Sequence, residues 1–291
     1  MGSLNVFMDN KKMFNQITKD IKEIRIQGAR NIAKKAVYAY SLIPTKSSKE
    51  RLLSLRPTEP MLSNVLDRIE GQSYESILNH FDSAQEKINQ HTLKLIKNND
   101  LIFTHCHSTN VINALVYAKK KGKKFEVYNT ETRPLFQGRK TSKELRRAGI
   151  KTTQFIDAAA MIALTKKQGT KKVSKIFFGA DALLKNGVVN KVGSGMFSQI
   201  AHDNKIPVYI IADSWKYSPK EVKLEERDFH EVWKNVPGRL KINIENPAFE
   251  LIPKKYIKAI ISEFGILKYD GFLNNVSKNN QYLTVLDPKG I

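Results

Sequence analysis

The feature that most restricts the fold is a change of pattern at Asp100. From there, short apolar runs alternate with amphipathic stretches. Candidate strands are Leu101–His105, Phe125–Asn129, Thr153–Ile156, Lys175–Gly179 and Val208–Ala212, and helices start near Val111, Lys140, Ala158 and Ser194. Strands separated by helices pair in parallel, because each crossover returns the chain to the same end of the sheet. Residues 99–291 therefore predict an α/β, Rossmann-like domain with a mostly parallel sheet covered on both faces. No G-x-G-x-x-G follows the first strand, so a nicotinamide dinucleotide is not indicated. The stretch from Asn246 to Ile266 reads as a loop and then a helix over one sheet edge.

Residues 1–98 follow a different pattern and predict an N-terminal helical domain. Phe14, Ile17, Ile21 and Ile24 recur at helical spacing, and Ile32, Ala33, Ala36, Val37 and Ala39 resume it after Gly28. Residues 44–60 hold the turn formers Pro44, Ser47, Ser48, Pro57 and Pro60, with Arg56-Pro57-Thr58 as a rigid polar corner. A last stripe, Ile77 to Ile96, predicts one long helix.

A chain of 291 residues with 41% hydrophobic and 26% charged residues can bury a full core. No run has membrane-span length, and a single cysteine fits a reducing, cytoplasmic setting. The net charge of +21 raises nucleic-acid binding. The lysines are scattered, however, rarely interleave with aromatics and build no recognition motif. A solvated lysine-rich surface with no specific nucleic-acid partner is the reading taken, and the same charge would attract a phosphorylated small molecule.

Four polar clusters fall at expected carboxyl ends of strands, the edge where open parallel sheets bind ligands. They are His105-Cys106-His107-Ser108, Thr130-Glu131-Thr132-Arg133-Pro134, Gly179-Ala180-Asp181 and Asp213-Ser214-Trp215-Lys216. Cys106 precedes a helix, whose N-terminus would stabilise a thiolate; a small buried hydrophobe is the alternative that position alone leaves equally open. The four clusters together favour a site. The loop Asn190-Lys191-Val192-Gly193-Ser194-Gly195 opens a helix and could offer N–H groups to an anion. A metal is not expected. Cys106 in an extended segment would point away from His105 and His107, and no further ligand spacing is present. A Cys106–His202 protease dyad lacks a third member.

These residues resemble the superfamily of archaeal ribose-1,5-bisphosphate isomerases, methylthioribose-1-phosphate isomerases and the regulatory subunits of translation initiation factor 2B. The resemblance rests on Thr104-His105-Cys106, Thr130 to Pro134, Gln137-Gly138-Arg139, Gly179-Ala180-Asp181, Asn186-Gly187, Asn190 to Gly193, Asn246 to Phe249, Ser262 to Gly265 and Arg56-Pro57-Thr58. It covers nearly the whole chain. Catalytic members pair a cysteine after Thr-His with an aspartate after Gly-Ala, and Cys106 and Asp181 stand there. The chain departs at Gln27, where arginine is frequent before the glycine, and at His107, where asparagine is common.

The ribose-bisphosphate branch, marked by Arg56-Pro57-Thr58 and a compact N-terminal part, implies an aldose–ketose isomerase giving ribulose 1,5-bisphosphate in AMP metabolism. The alternatives are a non-catalytic regulatory subunit and a methylthioribose-1-phosphate isomerase. The resemblance implies Cys106 as base and Asp181 as acid. Gln27, Gly28, Ala29, Arg30, Arg56, Ser108, Arg133, Asn190, Lys191 and Lys216 are the expected substrate contacts, with Arg25 a further cation near the 5-phosphate. No cofactor or metal is expected. Oligomers built from dimers, plausibly hexamers, and AMP as an allosteric activator are implied as well.

Overall fold

In a computed structural model of the chain, residues 2–238 and 241–279 are described. Five helices come first: α1 (Gly2–Lys22), α2 (Ala29–Leu42), α3 (Lys46–Leu53), α4 (Pro60–Arg68) and α5 (Tyr74–Leu95). The helix α3 occupies a stretch read from sequence as turn. Thr45 caps it by accepting from the Ser48 N–H at 3.2 Å, so the serines there start a helix rather than a loop. Pro60 is tolerated at the first turn of α4 because it has no N–H to leave unpaired. Gly28 begins α2 at φ 84°, a conformation that glycine adopts without a Cβ penalty.

The second part is built on a seven-stranded sheet. Its members are β1 (Asp100–Thr104), β2 (Phe125–Thr130), β3 (Lys151–Phe155), β4 (Lys175–Phe178), β7 (Val208–Ile211), β9 (Ala259–Ser262) and β10 (Gly265–Leu267). A separate antiparallel sheet holds β5 (Ala182–Leu183), β6 (Gly187–Lys191) and β8 (Phe249–Pro253). The large sheet runs β10-β9-β7-β4-β1-β2-β3, and only the β9–β10 pairing is antiparallel. The connecting helices are α6 (Thr109–Lys120), α7 (Gln137–Arg147), α8 (Ala160–Leu164) and α9 (Ser194–Asp203), with α10 (Tyr269–Asn279) last.

Alternation along the strands sorts residues to two cores. Leu101, Phe103, Ile176, Phe178 and Ile210 pack with Phe197, Ala201 and Phe272, so α8, α9 and α10 cover one face. Ile102, Val127, Phe177 and Ile211 pack with Ile88, Leu115 and Leu145, so α5, α6 and α7 cover the other. The long helix α5 joins both parts of the chain. Its Ile77 and Phe81 lie in the N-terminal helical core, while Ile88 lies in the sheet core. Trp215, from a turn after β7, crosses the other way into the helical core.

One expectation fails outright. Residues 246–266 form β8, β9 and the start of β10, not a helix. The run Ala259-Ile260-Ile261 is buried on both faces of the sheet, and a continuous apolar run carries no period that separates strand from helix. No helix among the described residues is long and apolar enough to cross a membrane.

Candidate active site

The order of the large sheet contains one reversal. From β1 the chain winds outward through β2 and β3, then returns to β4 and winds the other way through β7 and β9. The carboxyl ends of β1 and β4 therefore flank the crevice where such sheets take ligands. Cys106 follows β1 and Asp181 follows β4, and both line one cavity of about 120 Å³. The helical part supplies the opposite wall with Ile24, Gln27 to Asn31, Arg56 and Glu59.

Cys106 is not in extended backbone. Its φ is 64°, in the left-handed region, and a set of side chains fixes it there. The Cys106 N–H donates to Thr132 Oγ1 at 3.0 Å, and the Cys106 carbonyl accepts from the Thr141 hydroxyl at 2.7 Å. Thr141 in turn pairs with His107 Nδ1 at 3.0 Å. His105 donates from Nε2 to the Val192 carbonyl at 3.0 Å and accepts at Nδ1 from Thr130. Burial lowers both histidines to about 4, so they are neutral braces around the thiol. Ser108 Oγ is buried in the cavity wall and has no hydrogen-bond partner.

Asp181 is held from behind by the small sheet, its N–H donating to the Val189 carbonyl at 2.8 Å. Beside it, Lys216 Nζ donates to the Ala180 carbonyl at 2.5 Å. The turn bearing Lys216 is braced by a group that joins Asp213 and Glu263 to His80, a residue the sequence reading does not single out. His80 Nε2 lies 3.1 Å from Asp213 Oδ1, Asp213 caps the Trp215 N–H at 2.9 Å, and Glu263 accepts from Ser214. Ligand-type atoms of His80, Asp213 and Glu263 lie within 4.8 Å of one another. Each already has a protein partner, and the His80 ring stacks on Trp215 at 3.5 Å.

Burial is the largest influence on the Cys106 thiol and pushes it up to about 12, with the Asp181 charge adding to the rise and Lys191 opposing it. The helix N-terminus expected to lower it starts only at Thr109, so desolvation wins. The Asp181 carboxyl is also raised by burial, against Lys216, Arg56 and Lys191. Glu59 is raised to about 7, first by burial and then by Asp181. The cavity thus combines a thiol and carboxyls whose titration burial shifts upward with cations that favour anions.

Of the expected contacts, Gln27, Gly28, Ala29, Arg30, Arg56, Ser108, Asn190, Lys191 and Lys216 all line the cavity. Arg133 does not. Thr132 at φ 64° turns the chain, Asp157 caps the Thr132 and Arg133 N–H groups, and Arg133 points outward to the Val232 carbonyl at 3.2 Å. Arg25 is likewise spent on Asp20 and Glu23 at the surface. In the glycine loop only Asn190 and Lys191 reach the cavity, and the Gly195 N–H is taken by Glu250 at 2.7 Å. Sequence reasoning missed Glu59, Gln137, Lys140 and Arg227, which also line it. Glu59 directly follows the Arg56-Pro57-Thr58 corner.

Comparison with known proteins shows the family of the chain. Residues 44–269 match the model of the Initiation factor 2 subunit family. A ribose 1,5-bisphosphate isomerase of Methanocaldococcus jannaschii is 32% identical over 91% of this chain and 94% of its own. One from Archaeoglobus fulgidus is 31% identical over 85% of this chain and 87% of its own. A methylthioribose-1-phosphate isomerase of Fervidobacterium nodosum is 31% identical over 87% and 81%. Among solved structures, a translation initiation factor eIF-2B of Pyrococcus horikoshii superposes with a TM-score of 0.75 at 27% identity, covering 88% of this chain and 96% of its own. The matched span takes in the crevice between β1 and β4 and every strand of both sheets, and the chain belongs to the Initiation factor 2 subunit family.

Proposed function

We propose that this protein is an isomerase converting ribose 1,5-bisphosphate to ribulose 1,5-bisphosphate. The observation that carries the reading is the make-up of one cavity. A thiol and a carboxyl from neighbouring strands meet six basic side chains, Arg30, Arg56, Lys140, Lys191, Lys216 and Arg227. The two relatives named as ribose 1,5-bisphosphate isomerases support the substrate.

The chemistry requires two proton-handling groups. With its C1 hydroxyl phosphorylated, the sugar cannot open to a free aldehyde. Asp181 gives its proton to the ring oxygen as the C1–O bond breaks, while the Cys106 thiolate takes the proton from C2. The electron pair of the C2–H bond becomes the C1=C2 bond of an enol phosphate. Return of the proton from Cys106 to C1, and passage of the C2 hydroxyl proton to Asp181, leaves a ketone at C2 and restores both groups. The phosphate stays on C1 throughout. The basic residues hold the two phosphates by charge-assisted hydrogen bonds, and the side chains handle both protons without a cofactor or metal.

The reactive state carries a single proton across the pair, placed on Asp181. Burial favours the proton on Asp181 and on the thiol alike, and Lys191 is the nearby charge that draws the thiol toward its anion. A dimer-based, hexameric assembly activated by AMP is part of this reading. The test is incubation of the purified protein with ribose 1,5-bisphosphate, with and without AMP, following ribulose 1,5-bisphosphate by its carboxylation. Product formation faster than in the Cys106→Ser variant by two orders of magnitude is expected; equal rates overturn the proposal.

A further inference from the structure

Glu59 is the feature of the cavity that proton transfer and phosphate binding leave without a task. It and Asp181 are the two carboxyl side chains among the lining residues. Only 4% of Glu59 is exposed. Its Oε1 lies 3.5 Å from Arg56, too far for a normal hydrogen bond, and its Oε2 is buried with no partner at all. Arg56 has a closer carboxylate in Glu225, at 3.1 Å. The Arg56 ion pair therefore does not require Glu59.

A buried carboxyl oxygen without a donor is costly, and a ligand that supplies the donor removes that cost. The donor is not a phosphate, which at neutral pH brings mainly acceptor oxygens and negative charge. The remaining cavity wall is rich in cations and donors, which suit phosphates; Gln137 Oε1 is the other buried side-chain carbonyl or carboxyl oxygen of the lining without a partner, and it is neutral. Resting on the isomerase reading, we infer that Glu59 contacts the substrate directly. Its Oε2 accepts a hydrogen bond from a sugar hydroxyl, so the site selects a polyol bisphosphate over a hydroxyl-free one of the same length.

The test compares ribitol 1,5-bisphosphate with pentane-1,5-diol bisphosphate, both unable to react, by calorimetry on the full chain. The wild-type protein is expected to bind the polyol at least tenfold more tightly. Glu59→Met, which fills the same space without an acceptor, should bring the ratio close to one through loss of polyol affinity, and Glu59→Ala should do the same. An unchanged ratio in the folded variants, or an equal loss for both compounds, overturns the assignment of Glu59 and leaves the isomerase reading standing. Failure of the wild-type protein to bind either bisphosphate overturns both.

Discussion

Cys106 and Asp181 follow neighbouring strands, β1 and β4, between which the winding of the sheet reverses. No turn or loop alone could bring residues 75 positions apart to one crevice; the parallel pairing of Ile102 with Lys175 and Phe103 with Ile176 does so. The pair is therefore as rigid as the sheet beneath it, which suits groups that must meet one carbon and one oxygen of the same sugar.

Both side chains are then open to near-isosteric removal. Cys106→Ser and Asp181→Asn are each expected to cut turnover by roughly two orders of magnitude or more, the range for a lost acid–base group. Unfolding midpoints should stay close to wild type. Steady-state turnover and thermal melts on the same preparations check this.

The thiol also reports the field of the site, because it is the only cysteine in the chain. Asp181 raises the thiol and Lys191 lowers it. Alkylation by iodoacetamide at pH 8 should accordingly be faster in Asp181→Asn than in wild type, and slower in Lys191→Ala. Rates that move in the same direction for both variants would show that access, not charge, governs Cys106.

Stability against pH gives a prediction with a definite sign. Glu59 is raised from 4.5 to about 7, so its contribution is full below pH 4.5 and lost as pH climbs through 7. His105 moves oppositely: lowered from 6.5 to about 4, it contributes above pH 6.5 and loses that contribution as pH falls through 4. Each pH unit between a folded and an unfolded value is worth roughly 1.4 kcal/mol. Glu59→Gln removes the cost of the ionised carboxylate. Its melting temperature relative to wild type should thus be more favourable at pH 8 than at pH 5. Differential scanning calorimetry at the two pH values decides it, and equal differences would contradict the burial of a charged Glu59.

How much of this was legible in the sequence varied with the kind of signal. The stop of β1 at His105-Cys106, the Asp181 cluster after β4 and the Lys216 cluster after β7 were readable because strand ends are marked by an abrupt loss of apolar residues. The strands β8 to β10 were not, since Ala259-Ile260-Ile261 has no polar alternation to declare its period. Arg133 misled because its direction depends on a positive φ at Thr132 and on Asp157, 24 residues further on. Glu59 was overlooked for a related reason. Its place in the cavity comes from α4 docking on the 215–217 turn, where Asn64 donates to the Trp215 and Tyr217 carbonyls at 2.6 and 2.9 Å.

The net charge of +21 enters the account as surface composition plus a cationic cavity. Binding to generic duplex DNA should therefore be weak and vanish as salt rises. Fluorescence anisotropy with labelled duplexes across a salt series tests it. Sequence-dependent binding that survives physiological salt would point to a nucleic-acid role.

The most direct measurement of the central claim is a side-by-side determination of kcat/KM for ribose 1,5-bisphosphate and 5-methylthioribose 1-phosphate. A 5-phosphate needs fixed cations, which Arg30, Arg56 and the cavity lysines offer, whereas a thioether needs an apolar pocket. The account predicts strong preference for the bisphosphate, with Arg56→Ala weakening its use by roughly 2–3 kcal/mol, the scale of a lost charged hydrogen bond. Equal or better use of the methylthio sugar would contradict it.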